Sequence, residues 1–111
     1  MVIFVEKYNI NRGDFIIMKV INVSLVVKPQ LKAEYEEFIA DLVRNSAQET
    51  GNLYYGHFKK LDSDNEYEII EHWRDQAAVE AHNATPHFQK FLAGVNDYLV
   101  KEPEITRLIL E

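Results

Sequence analysis

From Val20 onward the spacing of apolar residues switches repeatedly between the period of a strand and the period of a helix, and few folds accommodate that alternation. Val20 to Val27 is β-branched and apolar on both faces, broken only by Asn22 and Ser24, which predicts a strand buried on two sides and ended by Pro29. Leu31, Tyr35, Phe38, Ile39, Leu42 and Val43 then recur at helical spacing with Glu34, Glu36, Glu37 and Asp41 between them. This amphipathic helix is expected to stop at Gly51, the residue best suited to a left-handed C′ position. Leu53 to Leu61 reads as a second strand and Tyr67 to Trp73 as a third, joined as a hairpin by the turn residues Asp62-Ser63-Asp64-Asn65. Asp75 is placed to cap a short helix through His82. Thr85 caps the next, with Pro86 at its first position and Phe88, Phe91, Leu92, Val95, Tyr98 and Leu99 as its apolar stripe. Pro103 breaks that pattern before a last strand, Ile105 to Leu110. The order is β-α-β-β-α-β, an α+β, ferredoxin-like arrangement in which an antiparallel sheet carries its helices on one face.

That arrangement leaves a second sheet face to account for. Ile21, Val23, Leu25 and Val27 point one way, Val20 and Val26 the other, and the last strand divides Ile105 and Ile109 from Leu108 and Leu110 in the same manner. Helices cover one face only, and soluble monomers rarely expose a large apolar patch, so a homodimer packing sheet against sheet is expected. With 111 residues the domain proper, residues 18–111, is a single unit, preceded by an extension, residues 1–17, read as an extra edge strand or the product of an upstream start. Val2-Ile3-Phe4-Val5 is too short for a signal segment, and no stretch approaches the ~20 apolar residues of a membrane span. The balance of 12 basic against 18 acidic residues, a net charge of −6, argues against nucleic acid and anionic membrane as partners. The absence of cysteine removes disulfides, thiolate metal sites and thiol nucleophiles and fits a cytoplasmic location.

Polar and aromatic groups gather at one corner of this scheme, along Glu71-His72-Trp73-Arg74-Asp75, Ala81-His82 and Thr85-Pro86-His87-Phe88. Glu71 and Trp73 share a strand face, and His72 takes the opposite one. If helices lie over the first face, a cleft there offers a proton acceptor, an indole wall and, from the first strand, the amide of Asn22. His82, late in the short helix, adds an imidazole that titrates near neutral pH. Each residue also has a plainer reading: Trp73 as a core anchor, Glu71 as a partner of Arg74 or a lysine, Asn22 as a bond to loop backbone, and His82 as a helix C-terminal residue favoured by the dipole. His87 in the first turn after Pro86 is a further candidate. Tyr54, Tyr55 and His57 share a strand whose inward face the sequence leaves open, and Tyr55 is carried as a substrate-lining candidate. His82 and His87 are five apart across a proline, which is not the spacing of a helical metal pair, and no nucleotide-binding or serine-hydrolase motif occurs. Neither a metal nor a cofactor is expected.

The runs Glu49-Thr50-Gly51-Asn52-Leu53, Glu71-His72-Trp73, Ala78-Val79-Glu80-Ala81-His82 and Thr85-Pro86-His87-Phe88 resemble the antibiotic biosynthesis monooxygenase domain over about residues 18 to 110. The resemblance implies a dimeric α/β barrel and, from the members similar to quinol monooxygenases, a cofactor-independent monooxygenase that joins a small aromatic quinol-like substrate to oxygen. On that likeness Asn22 orients the substrate oxygen, His82 is the base, Trp73 a wall, and Glu71 tunes or orients a neighbour. A second branch isomerises a phosphorylated autoinducer-like sugar, sharing the Gly-Asn-Leu and Thr-Pro-His stretches but carrying Tyr where this chain has Trp73. A third, the haem degraders, shares an asparagine matching Asn22 but places a tryptophan near His82 and an axial histidine near Leu92, neither of which this chain has. The same fold also serves as a non-catalytic dimeric ligand-binding module.

Overall fold

A computed structural model describes residues 18–109. The expected extension, residues 1–17, and the end of the expected last strand at Leu110 lie outside the described residues. Four strands, β1 (Lys19–Val26), β2 (Asn52–Lys59), β3 (Glu66–Trp73) and β4 (Glu104–Ile109), form one antiparallel sheet in the order β2-β3-β1-β4. Three helices, α1 (Lys32–Ala47), α2 (Gln76–Asn83) and α3 (Pro86–Gly94), complete an α+β, ferredoxin-like fold. No helix among the described residues is long and apolar enough to cross a membrane.

The alternation read from the sequence is the alternation of burial. On β3, Tyr67, Ile69, Glu71 and Trp73 are buried while the residues between them are half-buried, and β1 buries Ile21, Val23 and Leu25 in the same way. Ile21 stands opposite Glu71 on one side and Arg107 on the other, so all three share the helix-covered face. Tyr35, Ile39 and Leu42 of α1 and Phe91 of α3 pack onto that face and form its core with these strand residues. The opposite face carries Val20, Asn22, Ile70, His72 and Leu108, and Leu108 is 46% exposed.

Local chemistry sets the element ends, with two departures from expectation. Asp75 caps α2 by accepting the Ala78 amide at 2.8 Å, and Thr85 caps α3 by accepting that of Phe88 at 3.2 Å, with Pro86 in the first turn. The helix expected to run to Leu99 instead ends at Gly94 and tightens into a 3-10 turn, Val95–Tyr98, after which Leu99 bridges to Val27 and the Val100 amide donates to the Val26 carbonyl at 2.8 Å. Gly51 does not take a positive φ and does not cap α1, which ends at Ala47 with Gln48 as its cap. Its role is close approach: a Cβ there would stand 2.4 Å from the Ala78 Cβ, so glycine lets α2 press against the start of β2.

Candidate functional site

Between the sheet and helices α2 and α3 lies a cavity of about 530 Å³, within the size range of small-ligand sites. Val23, Ile69, Val79, Phe88, Phe91 and Val95 give it apolar walls, and Glu71, Tyr55 and His82 place polar atoms among them, with Lys19 and Arg107 also on its lining. Glu71 reaches it because β3 turns that residue inward. Its carboxylate accepts a hydrogen bond from the Trp73 indole N–H at 2.9 Å. Burial pushes the Glu71 carboxyl up to about 7; the Trp73 hydrogen bond pulls it down, the charge of Glu49 pushes it further up, and Arg107 opposes both the burial and Glu49. A carboxyl so placed exchanges a proton near neutral pH. Tyr55 stands opposite Glu71 on β2, and burial followed by the charge of Glu71 lifts its hydroxyl above the ordinary tyrosine range, so it remains a neutral phenol.

His82 is the other polar wall. It ends α2 with its side chain 2% exposed, its ring 4.5 Å from that of Trp73 and 4.8 Å from that of Phe88. Its Nδ1–H donates to Glu49 Oε2 at 2.6 Å. Its Nε2 is buried and has no hydrogen-bond partner among the described residues. A carboxylate on one imidazole nitrogen fixes the tautomer and leaves the other nitrogen as a lone-pair acceptor. Burial holds the imidazole below its ordinary pKa against the pull of Glu49, while His87 adds to the lowering, so the ring is a neutral base rather than an imidazolium. Glu49 also accepts from His87 Nε2–H at 2.8 Å, which makes it the common anchor of both rings.

The six residues singled out from the sequence therefore divide three ways. His82, Glu71 and Tyr55 line the cavity. Trp73 and His87 stand behind the lining: Trp73 is fully buried and holds Glu71, and His87 holds Glu49. Asn22 does not join them, because it pairs with Ile70 and Thr106 and so shares their face, on the far side of the sheet from Ile21 and Glu71. There its Oδ1 is buried and has no partner among the described residues. Glu71 does not pair with Arg74, which instead reaches Asp75 at 3.3 Å. The residue that the sequence reasoning missed is Glu49. It lies in the loop after α1, 33 residues from His82 in the chain, and its one signal was its place at the head of the Glu49-Thr50-Gly51-Asn52-Leu53 run. The spacing of His82 and His87 misled for a related reason. The chain breaks at Ala84–Thr85 and restarts as α3, so the two rings come within 6.0 Å although no single helix would pair them.

Known proteins share this scaffold and, at about a third identity or less, part of this sequence. Residues 18–94 match the family model described as "Antibiotic biosynthesis monooxygenase". A protein of Bacillus subtilis (strain 168) named "Putative monooxygenase YcnE" is 34% identical over 90 residues, covering 81% of this chain and 95% of that one. Among solved structures, PA3566 from Pseudomonas aeruginosa superimposes with a TM-score of 0.78 at 26% identity, covering 88% of this chain and 99% of that one. A conserved protein from Methanosarcina mazei Go1 shares the fold with a TM-score of 0.79 at 22% identity, over 84% and 92% of the two chains.

Proposed function

The chain belongs to the antibiotic biosynthesis monooxygenase family, and on that premise we propose that it is a cofactor-independent monooxygenase whose substrate is a small hydroxylated aromatic of the quinol class. The observation that carries this reading is His82: a buried imidazole whose Nδ1 is held by Glu49 at 2.6 Å and whose Nε2 is left without a partner beside an apolar cavity. A phenol entering such a cavity presents its O–H to a fixed acceptor. Loss of that proton to Nε2 yields a phenolate, and the dry walls leave its charge unsolvated and its ring electron-rich. The substrate then supplies all the electrons: one oxygen atom of dioxygen bonds to the ring, the other leaves as water, and the hydroquinone becomes a hydroxylated quinone. Glu71, with a carboxyl that holds its proton up to about 7 and a place on the same lining, supplies a hydrogen bond to the developing oxyanion. Glu49 is a positioning residue, since it acts through His82.

The uncovered sheet face supports a homodimer. It presents Val20, Ile70 and the 46% exposed Phe58 and Leu108, together with the orphaned amide oxygen of Asn22, and a second copy would cover all of them. On this reading Asn22 serves assembly, not substrate orientation. Sedimentation at micromolar concentration tests it, and a monomer there would exclude the dimer.

Oxygen uptake with a panel of benzo- and naphthohydroquinones tests the activity. Chelator-treated protein is expected to consume oxygen with at least one of them, and His82→Ala to lose that consumption. No uptake above the spontaneous rate across the panel, or equal uptake by His82→Ala, would overturn the proposal.

A further inference from the structure

Three ligand atoms converge where the loop after α1 meets the ends of α2 and α3. Glu49 Oε2, His82 Nδ1 and His87 Nε2 all lie within 4.8 Å of one another, with Glu49 Oε2 at 2.6 Å from the first nitrogen and 2.8 Å from the second. Two imidazoles and one carboxylate, leaving further positions open, make the donor set that zinc, nickel, copper and ferrous iron prefer over calcium or magnesium. The side chains are only 2%, 14% and 14% exposed, which distinguishes the cluster from a chance grouping of surface acids.

Nothing about their placement depends on an ion. Asp75 caps α2, Thr85 caps α3 and also donates its hydroxyl to the His82 carbonyl at 2.7 Å, and the Gly51–Ala78 contact seats α2 against the sheet. The backbone that presents the donors is thus held before binding, which lowers the ordering cost of capturing a ligand. Burial of His82 adds a chemical consequence. Its Nε2 has no partner among the described residues, so a proton moved there from Nδ1 displaces no hydrogen bond at Nε2, and the bond given up, Nδ1–H to Glu49, is the one an ion would replace.

We propose that Glu49, His82 and His87 form a binding site for a divalent transition-metal ion, and that occupancy is incompatible with His82 acting as a base. An ion on Nδ1 takes the lone pair there, and the neutral ring must then carry its proton on Nε2, which becomes a donor and no longer offers a lone pair. The metal-free protein holds the other tautomer, with Nδ1–H on Glu49 and the lone pair on Nε2. The ion is therefore an inhibitory ligand and not a cofactor. Binding stands on the geometry alone; the inhibition rests on the monooxygenase reading above.

Untagged, chelator-treated protein titrated calorimetrically with Ni²⁺ and with Zn²⁺ decides the binding. One ion per chain is expected. His87→Ala and Glu49→Gln should each weaken it by at least the ~10- to 100-fold that even outer partners of a metal site cost. His57→Ala, which removes a histidine outside the cluster, should leave it unchanged. Circular dichroism on each variant confirms folding, and Co²⁺ substitution gives a second readout, because visible bands of a nitrogen–oxygen site should appear with wild type and vanish in both variants. No saturable binding by wild type, or binding retained in either folded variant, overturns the site. In parallel, the ion should suppress oxygen uptake and a chelator restore it. Uptake untouched by a bound ion would overturn the inhibition while leaving the site standing, and a chain that binds the ion but never consumes oxygen would sink the monooxygenase reading alone.

Discussion

The helix-covered face holds two histidines in closely similar company and treats them in opposite ways. His57, on β2, lies between Tyr35 and Tyr67 with Glu36 nearby, and His82 lies between Trp73 and Phe88 with Glu49 on its ring. Burial lowers the pKa of both rings, against the pull of a glutamate in each case. At His57 the ring is closed off: Nε2 meets the Tyr35 hydroxyl at 2.9 Å, the ring stacks on Tyr67 at 5.3 Å and 8°, and the Tyr67 hydroxyl donates to Glu36. The neighbouring space is an open groove between α1 and β2. At His82, a residue of the apolar cavity's lining, the carboxylate takes one nitrogen, and the other is buried with no partner among the described residues. Burial and aromatic contact therefore do not mark a functional histidine. What separates the two is the fate of Nε2: at His57 it meets a hydroxyl, and at His82 it has no partner among the described residues.

The widest gap between the two sites should appear in turnover. On the proposed mechanism His82→Ala removes the buried, unpartnered Nε2 beside the cavity and is expected to lower oxygen consumption by the ~10²- to 10⁴-fold typical of a positioned base. His57→Ala should stay within a fewfold of wild type, and equal losses in the two variants would erase the distinction. Next in size is the pH response of Glu71. Its carboxyl is raised from 4.5 to about 7, so the native state holds a proton that the unfolded chain has released across that window. The unfolded state there binds fewer protons, so stability falls as pH rises from the unfolded value through the folded one and levels off above it. The shift is worth about 3 kcal/mol. Glu71→Gln keeps an acceptor for the Trp73 N–H and removes the proton, so its urea stability relative to wild type should improve by about that amount between about pH 4 and about pH 8. The groups facing Glu71 (Glu49, Arg107 and Tyr55) are unchanged in the variant, and parallel curves would show that the carboxyl is not buried as described.

The same contrast explains what could be read from the residues. Strand parity separated Glu71 and Trp73 from His72, the structure shows which of the two faces is inward, and the caps Asp75 and Thr85 were legible because each acts on its own backbone a few residues away. The fully apolar set Ile21, Val23, Leu25 and Val27 also carried the signal that Asn22 faces away from the helices, since the face packed under them needs that set. Tyr55 was harder. The bulge between Asn52 and Tyr54 shifts the register of β2, so only the pairing with β3 shows that Tyr55, opposite Glu71, is the inward residue. Glu49 was legible only as the head of the Glu49-Thr50-Gly51-Asn52-Leu53 run and not as a site residue, because a loop carboxylate acquires its meaning only when α2 and α3 bring two rings onto it. Likewise nothing local distinguishes His57 from His82, whose difference lies in the partners that tertiary packing supplies.

Gly51→Ala probes the packing that sets His82 apart. The new Cβ would stand 2.4 Å from the Ala78 Cβ and 3.3 Å from its backbone Cα, so α2 must move outward. A loss of about 2 kcal/mol, in the range of overpacked cores, is expected by urea unfolding at fixed protein concentration. Because Glu49 and His82 lie on either side of that contact, oxygen consumption should fall as well, while the His57 cluster, held by α1, β2 and β3, keeps its aromatic near-ultraviolet signature. A variant as stable and as active as wild type would mean that α2 is not seated by this contact.

The smallest effect belongs to the closed site. Tyr35→Phe removes the hydroxyl that meets His57 Nε2 and keeps the ring, itself fully buried, against Tyr67 at 4.8 Å. One neutral hydrogen bond is lost without opening a cavity, and half-buried His57 can turn to water for a replacement, so stability should fall by about 1 kcal/mol. Turnover should not change, because Tyr35 reaches neither the cavity nor Glu49. The released imidazole is the informative part. With the Tyr35 hydroxyl gone, His57 Nε2 loses its partner, as His82 Nε2 has none among the described residues, but beside an open groove. Its NMR titration should therefore move toward the ordinary histidine range, since water at the freed nitrogen eases the burial that lowers it. If the His57 titration stays where it was, the hydroxyl was not what occupied the ring, and the contrast with His82 must rest on burial alone.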